Sequence, residues 1–243
     1  MNNKKRIQNQ SCWIPHHRPY RETSNIIDVF TKEFGRISLI AKGARSAKSK
    51  FRGLLRPFSP LSVSWISSSN LGTLIDIEVN GNPILLFGDS LLSGYYLNEL
   101  IIKLLHKDDS QNEVFDLYTS TIIELSKTHN VAPILRNFEI DLLKLIGYEI
   151  NLDSEYNTGD PLEASNLYEY SPGLGFEETK KKTGLMIFHG DEIQLIKLKG
   201  FQSKNVLKSA NRLLRNTIAF HLDGKILKTR KVLEELRKYD EQK

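Results

Sequence analysis

The chain has 243 residues, of which 40% are hydrophobic and 26% are charged, and it contains one cysteine. This composition is typical of a soluble protein with one large or two small domains, and a single cysteine excludes an intramolecular disulfide and a multi-cysteine zinc site. We find no apolar run near the roughly 20 residues that a membrane span needs and no apolar signal segment at the N-terminus. We therefore expect a cytoplasmic protein without a membrane segment.

The charges are distributed unevenly along the chain. The formal net charge of +5 is the balance of +10 in residues 1–75, −13 in residues 76–196 and +8 in residues 197–243. Two basic ends thus flank an acidic middle, and an asymmetry of this size indicates a polyanionic partner such as nucleic acid or an anionic surface.

Alternation of apolar and polar residues predicts four short strands in the first third of the chain. They lie at residues 25–31, 36–41, 61–66 and 73–79. Gly35 supplies a tight turn between the first two strands, and Pro57 and Pro60 break the chain before the third. Short strands joined by such turns predict a small antiparallel sheet or barrel.

Apolar residues at helical spacing dominate the middle of the chain. They predict three consecutive helices, which we expect to form a bundle, at residues 91–106, 113–128 and 134–146. Residues 149–178 then contain eight acids and neither lysine nor arginine, and their turn signals predict an irregular segment. Beyond it, the pattern predicts short strands at residues 185–188 and 192–198 and two basic helices at residues 204–221 and 228–239.

An acid-free stretch extends from Phe34 to Ile75, and its densest part, residues 41–51, is rich in small residues. We expect this part to be an exposed loop that binds phosphates through arginine, lysine and serine side chains. Phe51 or Tyr20 would offer a face on which an unpaired base stacks. The alternative is a solvated loop whose charges keep the protein soluble. The cations of the stretch are Arg36, Lys42, Arg45, Lys48, Lys50, Arg52 and Arg56.

A second group of cations lies near the C-terminus. On the predicted helix at residues 204–221, four cations recur at spacings of three and four and share one face. They are Lys204, Lys208, Arg212 and Arg215. Such a face binds phosphates, a membrane surface or an acidic peptide, or it is the solvated side of a helix that covers a core.

We find no sequence motif of an enzyme. The chain lacks the glycine motifs that bind phosphates or dinucleotides and the motif that carries a nucleophilic serine. His16 and His17 are adjacent, so on a strand they would point to opposite faces, and the other histidines are scattered. We therefore predict no catalytic residue, no metal site and no cofactor.

Five motifs follow one another over about 45 residues of the first part of the chain. They are Pro19-Tyr20-Arg21-Glu22-Thr23-Ser24, Phe30-Thr31, Gly35-Arg36, Ala41-Lys42-Gly43-Ala44-Arg45 and Pro57-Phe58-Ser59-Pro60-Leu61. In order and spacing they resemble the N-terminal signature of RecO, a family of bacterial DNA repair proteins. Later motifs are similar to those of the same family: Tyr96-Leu97-Asn98-Glu99-Leu100, Arg136-Asn137-Phe138-Glu139, Gly147-Tyr148 and Leu227-Lys228-Thr229-Arg230.

The resemblance implies an α+β protein. It implies an N-terminal OB-fold β-barrel at residues 1–82, which agrees with the strand pattern, and a mainly helical C-terminal domain at residues 83–243 with an irregular acidic insert at about 149–190. Many RecO proteins carry a four-cysteine zinc finger after the Gly-Tyr motif. No cysteine follows Tyr148, so the chain is similar to the zinc-free branch of the family.

The resemblance also implies a function. RecO proteins are DNA repair and recombination mediators and not enzymes: they bind single- and double-stranded DNA and anneal complementary strands. They work with RecR, bind the acidic C-terminal tail of single-stranded-DNA-binding protein, and help RecA to load on strands that this protein coats. For this chain the resemblance implies the same partners and a place in the cytoplasm at the nucleoid.

We expect DNA to contact the barrel and the 41–52 loop. The predicted DNA-binding residues are Arg21, Arg36, Lys42, Arg45, Lys48, Lys50, Arg52 and Arg56. By its position in the Arg-Asn-Phe-Glu motif, Arg136 is predicted to bind the carboxylate of the tail, with Lys208 and Arg212 as further candidates for its acidic stretch. Two other functions stay open: a protein-interaction adaptor whose DNA contact is secondary, and an unrecognised nuclease.

Overall fold

The structure is a computed structural model, and it describes residues 5–67, 71–232 and 235. Its contacts divide the chain into two compact units. Unit 1 comprises Met1–His129 and Leu227–Lys243, and unit 2 comprises Asn130–Ile226. A set of strands followed by a mainly helical region makes the chain an α+β protein, as predicted.

Five strands of unit 1 close into a barrel. They are β1 (Lys5–Tyr20), β2 (Ser24–Thr31), β3 (Gly35–Ala41), β4 (Leu61–Ser67) and β5 (Gly72–Val79). Around the barrel they follow the order β1-β2-β3-β5-β4, and every neighbouring pair is antiparallel except β3 and β5. This five-stranded closure is that of an OB-fold, which confirms the expected barrel.

The strand β1 is missing from the sequence-based prediction. It is 16 residues long and pairs with both β2 and β4. Its register shifts twice, between Ile7 and Gln10 against β4 and between Trp13 and His16 against β2. A bulge interrupts the alternation of inward and outward side chains. Periodicity therefore fails for β1, although it correctly predicts β2 to β5.

The barrel interior is filled by alternate residues of the strands, as the pattern predicts. Ile27 and Val29 of β2 and Ile37 and Leu39 of β3 belong to one buried core cluster. Phe51 joins this cluster and is only 5% exposed. The prediction that Phe51 offers a face to a base is therefore wrong, because the ring anchors the 41–52 loop in the core.

Two helices, α1 (Gly88–Leu104) and α2 (Asn112–Leu125), belong to the same compact unit as the barrel. They confirm the first two predicted helices to within a few residues. The compact unit that contains the barrel extends to His129, and the last strand of the barrel ends at Val79, close to the predicted end of the barrel domain at residue 82.

Buried polar contacts hold these helices on the barrel. The indole N–H of Trp13 on β1 donates to the hydroxyl of Thr119 on α2 at 2.9 Å. The Asn98 amide on α1 accepts from the Tyr118 hydroxyl at 2.5 Å and donates to the Pro15 carbonyl at 3.1 Å. Because buried polar groups are costly without partners, these paired groups fix where α1 and α2 lie on β1.

Unit 2, all of whose residues the structure describes, contains three helices and a sheet of three strands with the order β7-β6-β8. Its elements are α3 (Val131–Leu145), β6 (Leu167–Ser171), β7 (Gly175–Glu178), β8 (Ile187–His189), α4 (Gly190–Lys197) and α5 (Lys204–His221). Helices α3 and α5 confirm predicted helices. The predicted bundle of three consecutive helices is wrong, because α3 clusters with unit 2 and not with α1 and α2.

Two further predictions for unit 2 are wrong. Residues 149–178 are not irregular throughout, because β6 and β7 pair as a hairpin whose aromatic residues are buried between acids; these are Tyr168, Tyr170 and Phe176. Residues 192–198 are mostly helical, since Ile193 and Ile196 of α4 are buried at helical spacing. A short apolar run fits a strand and a helix equally well, so periodicity does not separate them there.

The last predicted helix is described only in part. Residues 228–232 and 235 are helical, and the remaining positions of the predicted helix at residues 228–239 lie outside the described residues. None of the helices within the described ranges is long and apolar enough to cross a membrane.

Candidate nucleic-acid interface

The β1–β2 turn and the 41–52 loop, which both contain cations, lie at the same end of the barrel. Across three strands, Pro19 pairs with Asn25, and Asn25 pairs with Ala41. The β1–β2 turn at residues 21–23 and the loop that begins after Ala41 therefore meet at the same end of the sheet.

Hydrogen bonds fix the 41–52 loop against this turn. The backbone N–H of Arg45 donates to the Thr23 carbonyl at 2.8 Å, and its guanidinium donates to the Arg21 carbonyl at 3.3 Å. The N–H of Gly43 donates to the Ser24 hydroxyl at 3.4 Å. Gly43 has a φ of +68°, which glycine adopts without strain, so the chain can turn out of β3 and stay in contact with β2.

The 41–52 loop is itself a series of tight turns. Each of four backbone N–H groups donates to the carbonyl three residues before it; the donors are Ala44, Ser46, Ser49 and Arg52. The Arg52 guanidinium also donates to the Ala47 carbonyl at 3.3 Å. Because several of its backbone groups are hydrogen-bonded and Phe51 is buried, the loop is ordered and presents its charged side chains from a defined backbone.

We call the exposed cations at the end of β1, in the β1–β2 turn and in the 41–52 loop, with the exception of Lys50, the basic cluster. None of them forms an ion pair with a residue that the structure describes. Its members are Arg18, Arg21, Lys42, Arg45, Lys48 and Arg52. Glu22 lies in the same turn and lowers the local charge by one. The cluster remains strongly positive, and such a surface attracts a polyanion.

Most of the predicted DNA-binding residues belong to the basic cluster, and Arg56 is exposed in the turn that follows it. Lys50 is an exception. Its ammonium group donates to the Ile75 carbonyl at 2.7 Å and pairs with the Asp76 carboxylate at 3.1 Å. Lys50 thus ties the loop to β5, and its charge is already balanced.

Arg36 is the second exception. It stands at the far end of β3 from the loop, is half-buried, and its carbonyl accepts the backbone N–H of Asp108 at 3.0 Å. Burial lowers the pKa of its guanidinium, and the nearby carboxylates of Asp28 and Asp108 raise it. With two acids beside it, Arg36 contributes little positive potential to a phosphate-binding surface.

The structure adds Arg18 to the predicted residues. It lies on β1, pairs with Ile26 and is exposed. The sequence analysis missed it because β1 was not predicted; the signal was its position two residues before Tyr20. Tyr20 is half-buried, with the Arg21 guanidinium 5.2 Å from its ring centre. The ring and the cation form one unit that remains a candidate for stacking on an unpaired base.

The residues predicted to bind the tail lie on unit 2 and differ in availability. Arg136 on α3 is only 8% exposed. Its guanidinium pairs with Glu139 at 2.6 Å and also donates to the Asn211 side chain on α5. Arg136 therefore joins two helices. To bind a partner's carboxylate it would have to break its ion pair with Glu139.

Arg212 and Lys208 lie on α5. The Arg212 guanidinium donates to the Ile187 carbonyl at 2.8 Å and lies 4.2 Å from the centre of the Phe188 ring, so it stabilises the contact between α5 and β8. Lys208 is exposed and has no ion pair among the described residues. Of the three predicted tail-binding residues, Lys208 alone presents an available charge.

A metal site was not predicted, and within residues 5–67, 71–232 and 235 the structure brings together no group of three or more histidine, cysteine or acidic residues that could hold a metal ion.

The chain matches two family descriptions that together span most of its length. Recombination protein O N terminal matches residues 6–82, and Recombination protein O C terminal matches residues 88–231. The chain belongs to the RecO family. The two matches meet where the strands of the barrel end, and the assignment confirms the resemblance carried by the sequence motifs.

Relatives of known name have similar lengths. DNA repair protein RecO of Azoarcus sp. (strain BH72) is 37% identical over 237 residues, which cover 96% of this chain and 98% of the relative. The protein of the same name from Coxiella burnetii (strain CbuG_Q212) is 38% identical over 229 residues, or 94% and 99% of the two chains. That of Aliivibrio salmonicida (strain LFI1238) is 36% identical over 223 residues, or 92% and 94%.

Proposed function

We propose that this RecO-family protein is a DNA repair and recombination mediator. It binds single- and double-stranded DNA, anneals complementary strands and, with RecR, helps to load RecA on strands coated by single-stranded-DNA-binding protein. The observation that carries the proposal is the basic cluster, in which an ordered loop and a turn present cations that have no carboxylate partner among the residues that the structure describes. The name DNA repair protein RecO, which its relatives bear, supports the same process.

The basic cluster suits the backbone of DNA better than its bases. Guanidinium and ammonium groups bind phosphate oxygens and position the strand, but they carry no base sequence information. The loop between the first two strands of an OB-fold is one of those that bind oligonucleotides, and the β1–β2 turn with Arg21 occupies this position. We therefore expect binding that tolerates any sequence and weakens steeply with salt, because each neutralised phosphate releases condensed counterions.

The positive charge of the protein is sufficient to accelerate annealing. Two complementary strands repel each other through their phosphates, and a protein that binds both lowers this repulsion while it holds them close together. The lysines and arginines of residues 197–243 would give the same molecule a second positive surface. No covalent step is needed, so the proposal requires neither a metal nor a cofactor.

The test is an annealing assay with two complementary oligonucleotides at low and raised salt, with and without single-stranded-DNA-binding protein. We expect the protein to accelerate annealing at low salt, to lose this effect as salt rises, and to retain it on coated strands. Binding without acceleration would contradict the annealing function and favour the adaptor, for which DNA is only a tether. Metal-dependent cleavage of either strand would favour a nuclease.

The acidic tail of single-stranded-DNA-binding protein is proposed to contact unit 2 at Lys208. Replacing Lys208 with alanine should weaken binding of a tail peptide several-fold, as expected for one charge-assisted contact, and leave DNA affinity unchanged. Lys180→Ala, which removes an exposed cation from the β7–β8 connection, is the matched control. Equal peptide affinity in the Lys208→Ala variant and the parent would remove this residue from the contact.

A further inference from the structure

The end of the chain returns to unit 1. The chain leaves this unit after His129 and re-enters it at Leu227. Leu227 is 5% exposed, so the return is anchored by a buried apolar side chain. The helical residues 228–232 follow directly, and we call residues 227–232 the C-terminal segment.

Glu99 on α1 holds this segment through both of its carboxylate oxygens. One oxygen accepts the backbone N–H of Lys228 at 2.8 Å and pairs with the Lys103 ammonium at 3.3 Å. The other accepts the backbone N–H of Thr229 at 2.9 Å and its hydroxyl at 2.7 Å. Hydrogen bonds to an ionised group are roughly twice as strong as neutral ones, so Glu99 is a firm anchor.

The environment of Glu99 keeps it ionised. Its side chain is only 12% exposed, and this burial by itself would raise its pKa. The hydrogen bonds from Thr229, Lys228 and Lys103 outweigh burial and lower the pKa below the ordinary value. The anchor is therefore charged throughout the neutral range.

A second contact fixes the orientation of the segment. The Arg230 guanidinium donates to the Tyr96 hydroxyl at 3.0 Å, and its centre lies 5.5 Å from that of the Tyr96 ring. Tyr96 stands one turn before Glu99 on α1. With Arg230 directed at α1, Lys228 and Lys231 remain exposed, and neither has an ion pair with a described residue.

The anchor lies beside the strand that carries part of the basic cluster. Asn98, the residue before Glu99, donates to the carbonyl of Pro15 on β1. Pro15 precedes Arg18 by three residues, a distance of about 10 Å along a strand. The C-terminal segment and the basic cluster are thus attached to the same strand of the same compact unit.

We propose that Glu99 is a positioning residue, which holds the C-terminal segment on unit 1 so that Lys228 and Lys231 form a second contact for a DNA strand. The inference rests on the proposed DNA binding and deepens it. The basic cluster holds one strand, the C-terminal segment holds the other, and Glu99 fixes the distance between the two surfaces. Glu99 does not itself touch DNA.

The experiment compares Glu99→Gln with Glu113→Gln in the full chain. Glu113 is an exposed acid of α2 in the same unit, so both variants change the net charge equally. In Glu99→Gln we expect the backbone amides of Lys228 and Thr229 to exchange hydrogen at least about tenfold faster. We also expect annealing to slow on the order of threefold to tenfold, while affinity for a single oligonucleotide stays at the parental value. Glu113→Gln should match the parent in all three.

A third variant, Lys228→Ala with Lys231→Ala, separates positioning from structure. It leaves the anchor in place, so amide exchange should be parental while annealing slows as in Glu99→Gln. Adding Glu99→Gln to this variant should cause no further slowing, because a residue that acts only through the lysines has nothing left to position.

Several outcomes would overturn the inference. Unchanged exchange in Glu99→Gln would show that Glu99 does not hold the segment. Faster exchange with parental annealing would show that the segment does not position a strand, and additive slowing in the combined variant would show that Glu99 acts by another route. In each of these cases the parent still anneals DNA, so the proposed function survives. A parent that does not bind DNA would overturn both.

Discussion

The basic cluster of unit 1 and the basic helix α5 of unit 2 look alike in the sequence and differ in the structure. Both contain closely spaced lysines and arginines. In the basic cluster, the cations are exposed and without carboxylate partners among the described residues. On α5, the Arg212 guanidinium donates to the carbonyl of Ile187 on β8. Ahead of α5, Lys199 pairs with Asp141 at 2.6 Å, and Lys197 pairs with Asp153.

This difference teaches that a run of positive charge locates a binding surface only when its counter-charges are known. The acid-free stretch from Phe34 to Ile75 lacks local carboxylates, so most of its cations remain available. The second basic region follows the acidic middle of the chain, and the fold brings Asp153 and Asp141 to Lys197 and Lys199 ahead of α5, while Lys208 on α5 stays available. The predictions below test whether available charge, and not charge as such, determines what each region does.

The largest expected effect is on the stability of the protein. Arg136→Ala removes one partner of a buried ion pair, and breaking such a pair costs about 3–5 kcal/mol in the free energy of unfolding. Lys144→Ala is the control, since Lys144 and Glu149 are both about 60% exposed, and surface pairs contribute at most about 1 kcal/mol. Chemical denaturation measures both. Similar, small losses in the two variants would show that Arg136 is available for a partner after all.

A comparably large effect is expected at the base of the 41–52 loop. Phe51→Ala removes a buried aromatic side chain, which should cost about 3–5 kcal/mol of stability and loosen the loop above it.

Tyr20→Ala should leave stability nearly unchanged and weaken binding of single strands by about 1–3 kcal/mol if a base stacks on the ring. Duplex affinity should change less, since its bases are already stacked. A Tyr20 variant with parental affinity for single strands would exclude stacking at this position.

A smaller effect is expected for a single cation that the structure adds. Arg18→Ala should lower DNA affinity several-fold and reduce the slope of log affinity against log salt by about 0.7 for single strands, the value of one phosphate contact. Lys50→Ala provides the comparison, because the Lys50 charge is balanced by Asp76 at 3.1 Å. Titrations at several salt concentrations measure both slopes. If Lys50→Ala lowers the slope as much as Arg18→Ala, an ion pair with a carboxylate does not prevent a cation from contacting DNA, and the proposed difference between the two residues is wrong.

Sequence patterns predicted the parts of this fold that depend on local periodicity. The strands β2 to β5 and the helices α1, α2, α3 and α5 repeat their apolar residues without interruption. β1 contains two bulges, and β6 and β7 hide their buried aromatic residues among acids, so their periods are obscured. The OB-fold itself came from the resemblance to RecO and not from the periodicity.

The candidate site was predictable as a segment but not residue by residue. The absence of acids between Phe34 and Ile75 identified the 41–52 loop. Whether a given cation is available depends on residues far away in the chain: Lys50 meets Asp76, 26 residues later, and Arg136 meets Asn211, 75 residues later. Such tertiary contacts have no local signature, so the sequence alone does not show that Lys50 and Arg136 already have these partners; their contacts with DNA or the tail, and that of Arg36, stay predictions.

The most direct test of the central claim is the salt dependence of single-strand binding in matched double variants. Lys42→Ala with Arg45→Ala removes two cations of the basic cluster, and Lys32→Ala with Lys107→Ala removes two from the opposite end of β2 and β3, where Lys32 pairs with Asp116 at 2.8 Å. We expect the first variant to lower the slope by about 1.4 and the second to leave it at the parental value. Equal slopes in the two variants would contradict the claim that the basic cluster is the DNA contact.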